Sequence, residues 1–149
     1  MSIRTIISWS SGKDSAWTLY LLKQEKDIDL VGLVTTVNQT YKRVTMHAVR
    51  LELLKKQAEA VGLPLDVLSI PHPCSNDQYQ AVMQEYINRL ETEHIDCMAF
   101  GDVYLQDIRE YREKNLKRTS IKPLFPLWGM STKQLANEMV SKGLRAFIT

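Results

Sequence analysis

Residues 9–17 read WSSGKDSAW, and Ser10, Ser11, Gly12, Lys13, Asp14 and Ser15 are all small, polar or charged, directly after an apolar run. A strand-to-helix turn of this kind presents backbone N–H groups at a helix N-terminus, where negative charge is favoured. Small residues let that backbone approach an anion. The Ser10 and Ser15 hydroxyls add donors, Lys13 can neutralise phosphate, and Asp14 can hold Mg²⁺ beside it. The loop is not a Walker A motif: the fifth position before Gly12 is Ile7, and Asp14 follows Lys13 where that motif needs a hydroxyl. The same residues also fit a capped turn, in which Asp14 and Ser15 only satisfy helix N–H groups.

Ligands of parallel α/β sheets bind outside the carboxyl ends of the strands, where strand order reverses. That rule would bring TTVNQ, which contains Thr35, and GDVYLQD to the same place as the serine-rich turn. Asp102 is then a candidate ligand for magnesium or substrate, or else a turn cap. Arg109 and Arg112 lie at i and i+3 on one helix face, with Arg118 beyond, a spacing suited to a polyphosphate. Taken alone, the pattern fits better a solvated helix paired internally through Glu110 and Glu113. His47, His72 and His94 are scattered, and His72-Pro-Cys74 offers two metal ligands at most, so no zinc cage is expected. Cys74, in a loop with no base beside it in sequence, reads as a plain loop cysteine before it reads as a nucleophile. Trp128 is expected in the core or at the edge of a pocket wall.

The elements that must carry these residues alternate between β-rich apolar runs and segments of helical period, the pattern of βα units around a parallel sheet. Strands are expected at RTIISW, DLVGLVTTV, PLDVLSIP, CMAFGD and, as the fifth, LRAFIT at residues 144–149. Ala16, Leu19, Tyr20 and Lys23 form the stripe of the first helix. The second lies within MHAVRLELLKKQAEAVGL and stops at Gly62. Ser75 caps a third helix with the stripe Tyr79, Val82, Met83, Tyr86, Ile87 and Leu90. A charged helix runs from about Gln106 to Lys117, followed by the extended IKPLFPLWG. Ser131 and Gln134 form a capping box for a last helix ending before Gly143.

With 149 residues, 44% hydrophobic and 24% charged, the chain reads as one globular domain. A net charge of +2 gives no general nucleic-acid or membrane surface. The apolar runs are strand-sized, the N-terminus has no signal-peptide pattern, and two cysteines make no disulfide framework, so a cytoplasmic location is expected.

SSGKDS resembles the PP-loop of the ATP pyrophosphatase superfamily, usually written SGGxDS, with Ser11 at the second-position glycine. That substitution keeps a small residue but gives up some backbone freedom. TMHAVR, IPHPCSNDQY, AFGDVYLQDIREYRE and PLFPLWG resemble, in order, the branch containing diphthine-ammonia ligases, especially its bacterial relatives, so the resemblance covers essentially the whole chain. It implies an adenine nucleotide alpha hydrolase-like α/β fold of three layers, with a five-stranded parallel sheet in the order 3-2-1-4-5 and helices on both faces. Members bind ATP with Mg²⁺ and cleave it to AMP and pyrophosphate, and many adenylate a carboxylate acceptor before a nitrogen nucleophile, here ammonia, displaces AMP. Carried onto this chain, Ser10, Ser11, Gly12, Lys13, Asp14 and Ser15 would cradle the pyrophosphate end, with Lys13 stabilising charge and Asp14, together with Asp102, assisting Mg²⁺. Thr35 would meet the adenosine. Gly101, Asp102, Arg109 and Arg112 would line the acceptor side.

The resemblance also implies that residues 1–149 form a single PP-loop ATP-binding domain without the C-terminal region with which members usually continue. A nucleotide-binding module without catalysis is the second reading. A tRNA-modifying enzyme is the third, disfavoured by the lack of an added basic domain. An exposed edge on the fifth strand would allow a homodimer.

Overall fold

A computed structural model describes residues 1–45 and 48–148. The elements, in chain order, are β1 (Ile3–Ser8), α1 (Lys13–Lys23), β2 (Ile28–Asn38), β3 (Arg43–Val44), α2 (Leu51–Val61), β4 (Leu65–Ile70), α3 (Asn76–Thr92), β5 (Cys97–Ala99), α4 (Gln106–Leu116), β6 (Lys122–Leu124) and α5 (Thr132–Ser141).

β1 is central, with β2 parallel on one side and β5 parallel on the other. β4 extends the sheet beyond β2, and β6 extends it beyond β5, both parallel. The parallel order is therefore β4-β2-β1-β5-β6, and the chain reverses its direction of travel across the sheet between β1 and β5. The short antiparallel β3 pairs Val44 with Val37, whose other neighbour is Ser69 of β4. β3 thus lies on the β1 side of β2, over the place where β1 has already turned into its loop.

The order 3-2-1-4-5 holds for the five parallel strands with a different fifth strand, while the antiparallel β3 makes the sheet six-stranded and not the five-stranded parallel sheet expected. Residues 144–148 of LRAFIT form no strand, and Phe147 and Ile148 are fully exposed. The position beside β5 is taken by Lys122–Leu124, which reaches the sheet directly after α4 and is flanked by the buried Ile121 and Leu127. Pro123 hides this strand from a propensity reading, yet an edge strand tolerates a proline because its N–H can be spared. The sheet beyond β5 therefore ends on the three-residue β6 and not on LRAFIT.

The helices form layers on both faces. Ile7, Leu33, Val37 and Ala99 pack against Leu19 and Leu22 of α1 and Leu54 and Ala58 of α2. On the opposite face Ile6, Val34, Met98 and Phe100 meet Tyr86, Ile87 and Leu90 of α3 and Leu116 of α4. The α1 stripe departs from expectation: Tyr20 is 39% exposed, whereas Trp17 is buried against Leu127, Leu135 and Met139. α1 is sandwiched between the sheet and α5, so it buries a wider arc than one stripe. α3 carries the expected capping box between Ser75 and Gln78, and α2 ends at Gly62 in a left-handed conformation, φ 74°. Only half of the box expected at α5 forms, because the Gln134 amide donates to Glu138 while Ser131 accepts from the Gln134 N–H. Among the described residues no helix is long and apolar enough to cross a membrane.

Candidate functional site

The turn after β1 is held by its own hydroxyls. Ser10 N–H donates to Ser15 Oγ at 3.1 Å, the two hydroxyl oxygens lie 2.9 Å apart, and Gly12 N–H reaches Ser10 Oγ at 3.4 Å. Ser15 Oγ also donates to the Ser8 carbonyl. Ser11 adopts φ 72°, the left-handed region that glycine enters freely and a residue with a Cβ does not. No side chain caps α1: its N-cap is Gly12, without a side-chain hydrogen bond. Asp14 instead pairs with Lys13 Nζ at 2.9 Å, and Ser15 spends its hydroxyl within the turn. The capped-turn alternative is therefore not the arrangement present, and the first turn of α1 keeps its anion-attracting end uncapped.

From the other side of the sheet reversal, the end of β5 closes on this turn. A Cβ on Gly101 would lie 3.1 Å from the Asp14 carbonyl carbon and 3.2 Å from its oxygen, so only glycine lets the two backbones meet without a shift. Asp102 follows, mostly buried, and accepts a hydrogen bond from Arg112 Nε at 3.2 Å. The Arg112 guanidinium also lies over the Phe100 ring, 4.5 Å from its centroid.

Between these elements lies a cavity of about 420 Å³. Ser10, Asp14 and Ser15 line its end at the turn, and Thr35, Thr36, Val44 and Thr45 form the β2–β3 wall. Gly101, Asp102 and Arg112 face them, with Leu68, Tyr79, Met83, Met98, Phe100 and Ile108 making an apolar floor. Thr35 is buried on this wall, and its hydroxyl has no hydrogen-bond partner among the described residues, the kind of orphan that a ligand completes. The Thr36 and Thr45 hydroxyls tie β2 to the segment after β3 at 2.6 Å. Burial pushes the Tyr79 phenol above its ordinary range, partly opposed by the positive charge of Arg112.

Ser10, Asp14, Ser15, Thr35, Gly101, Asp102 and Arg112 are thus brought together. Ser11 and Gly12 shape the turn without lining the cavity, and Lys13 extends outward at its rim. Arg109 is a correction to the expected set. It lies outside the cavity, paired with Glu113 at 2.8 Å and stacked on Phe125 and Trp128, with centroids at 4.6 and 4.8 Å. The two arginines share a helix face, but the segment after β6 supplies the rings that hold Arg109 away. Arg118 is exposed past the end of α4. Trp128 serves that stack and is not on the cavity wall. Cys74 is exposed and outside the cavity, whereas Cys97 is buried in β5. His47, with Met46 in the TMHAVR block, lies outside the described residues.

Sequence reading missed Thr45 and the cavity role of Tyr79. Tyr79 could have been found, because it sits in the first turn of the helix that follows β4 and so faces the carboxyl edge. Gln57 of α2 had no such signal. Its Oε1 accepts the Trp9 indole N–H at 2.9 Å, and its Nε2 donates to the Ser11 carbonyl at 3.4 Å.

Asp14 and Asp102, on facing sides of the cavity, are the carboxylates that could hold magnesium, which binds through one or two carboxylates and completes its shell with water and ligand oxygens. Among the described residues no cluster of three or more acidic, histidine or cysteine side chains could hold a metal alone.

A mostly parallel three-layer α/β arrangement with a serine-rich turn at the sheet's reversal point is consistent with an adenine nucleotide alpha hydrolase-like fold. The chain belongs to the family described as "Diphthamide synthase N-terminal domain", whose model matches residues 3–123. It is also similar to diphthine--ammonia ligase of Bos taurus, with 26% identity over 161 residues, covering 93% of this chain. The chain spans 58% of that relative's length.

Proposed function

We propose that this domain binds ATP with Mg²⁺ in the cavity, cleaves it between the α and β phosphates, and so adenylates a carboxylate acceptor for amide formation with ammonia. The observation that carries the reading is the uncapped N-terminus of α1, facing the same cavity as two carboxylates and one arginine. Family membership supports it, and the name of the bovine relative supports a ligase that uses ammonia.

The chemistry asks little covalent work of the protein. It must align the acceptor oxygen with the α phosphorus and stabilise the charge growing on the departing pyrophosphate. The turn amides, the Ser10 and Ser15 hydroxyls and Lys13 take the pyrophosphate end. Thr35 offers its unpaired hydroxyl to the nucleoside. Arg112, with most of its fork of donors free beyond the single bond to Asp102, takes the acceptor carboxylate. Magnesium, when bound through Asp14 and Asp102, screens the phosphate charges.

Incubation with ATP labelled in the α phosphate, Mg²⁺, ammonium and a panel of carboxylic acids tests this. AMP and pyrophosphate formed only with an acid present are expected. ADP and phosphate in their place refute the proposal, and nucleotide binding without acid-dependent AMP release supports a non-catalytic module.

A further inference from the structure

Gln57 is a polar residue on the buried stripe of α2, between Leu54 and Ala58, and is itself half-buried. An amide placed there without partners would be costly. Its two ends are instead committed to the two sides of the phosphate turn: the Trp9 indole before it and the Ser11 carbonyl within it. Ser11 is the residue with φ 72°, and it stands where a PP-loop of the usual pattern has glycine. For a residue with a Cβ the left-handed region is disfavoured by about tenfold in population. The hydroxyl bonds within the turn involve Ser10, Gly12 and Ser15 and none reaches the Ser11 carbonyl, whereas the Gln57 amide does.

We infer that Gln57 is a positioning residue for the phosphate turn, and that it compensates for the serine this chain carries at position 11. It acts through the backbone of Ser11, not on the ligand. The functional side of the inference rests on the nucleotide reading above. The structural side, that Gln57 selects the left-handed turn, does not.

The test is a double-variant cycle in the 149-residue chain: wild type, Gln57→Met, Ser11→Gly and the pair together. Met keeps the volume and removes both hydrogen bonds. Hydrogen exchange of the turn amides, followed by NMR, reports the turn without any ligand. Titration with Mg-ATP, followed by calorimetry, reports its use. Gln57→Met is expected to speed exchange at residues 10–15 and to weaken Mg-ATP about tenfold, equivalent to about 1.4 kcal/mol. Adding Ser11→Gly is expected to restore both, because glycine needs no external hold. A general packing defect in α2 would not be rescued by a change at position 11. If Gln57→Met leaves exchange unchanged, or the double variant exchanges as fast as Gln57→Met alone, the inference is overturned. If wild type binds no Mg-ATP while the exchange cycle behaves as expected, the nucleotide reading fails and the positioning role stands.

Discussion

Gly101→Ala places a methyl group where β5 meets α1. The added Cβ would lie 3.1, 3.2 and 3.3 Å from the carbonyl carbon, oxygen and Cβ of Asp14, all inside ordinary van der Waals contact. Two of the three atoms are backbone in the first turn of a helix, so no side-chain rotation relieves the contact, and one element must move by a few tenths of an ångström. Overpacking of this kind costs about 1–3 kcal/mol. Gly101 does not sit in the left-handed region, so alanine also gains about 0.4–1 kcal/mol by restricting the unfolded chain. The steric loss is the larger, leaving a net destabilisation of about 1 kcal/mol, or about 2–4 °C in Tm for a chain of this size. Because the residue displaced is Asp14, Mg-ATP affinity should fall as well. Gly143→Ala is the control: its φ of 85° makes alanine strained, but the position is outside the cavity, so Tm should fall while affinity holds. Thermal unfolding and calorimetric titration of both variants decide the matter. A Gly101→Ala protein with unchanged Tm and unchanged affinity would refute the close approach.

Arg112→Ala should reduce acid-dependent AMP formation by about 10²-fold or more, the usual loss when one charge-stabilising donor is removed. Arg109→Ala should lower stability by about 1 kcal/mol through its lost ring stacking and leave that activity in place; equal losses in a steady-state assay would contradict the different placements of the two arginines. Burial first, and then the hydrogen bond to Asp66, raise the Tyr86 phenol above its ordinary 10.0, so the folded chain keeps a proton that the unfolded chain releases. The resulting stability is full below about pH 10 and is lost as pH rises further. Tyr79 acts in the same direction, and the buried Cys97 thiol does so from about pH 9. Urea unfolding from pH 8 to 11 should show falling stability, with a shallower fall in Tyr86→Phe; a pH-independent midpoint would contradict the raised values.

The order of the sheet was legible because β1, β2 and β4 are long apolar runs bounded by turn residues, and because α3 carries both a cap and an unbroken stripe. β6 was not legible, since three residues with a proline carry no propensity signal and its place is decided by the sheet position that α4 leaves open. LRAFIT, strand-like in composition, lost that position, and its residues 145–148 are exposed. At the site, the strand-end rule brings Asp14, Thr35, Asp102 and Arg112 to one cavity, because each follows a strand tip or its helix. It could not separate Arg112 from Arg109. Both lie on the same face, and the separation depends on which aromatic ring each meets. Gln57 is the harder case: its partners lie 46 and 48 residues away in sequence, and an isolated glutamine in an amphipathic helix has no pattern of its own.

The central claim is that the turn at Ser10–Ser15 holds the phosphates of Mg-ATP. Calorimetric titration of the 149-residue chain with ATP and Mg²⁺, repeated with Asp14→Ala, tests it most directly. One site in the wild type, weakened or lost in Asp14→Ala and weaker without Mg²⁺, is the expected result. Absence of binding by the wild type, or equal affinity in the two proteins, would contradict the claim.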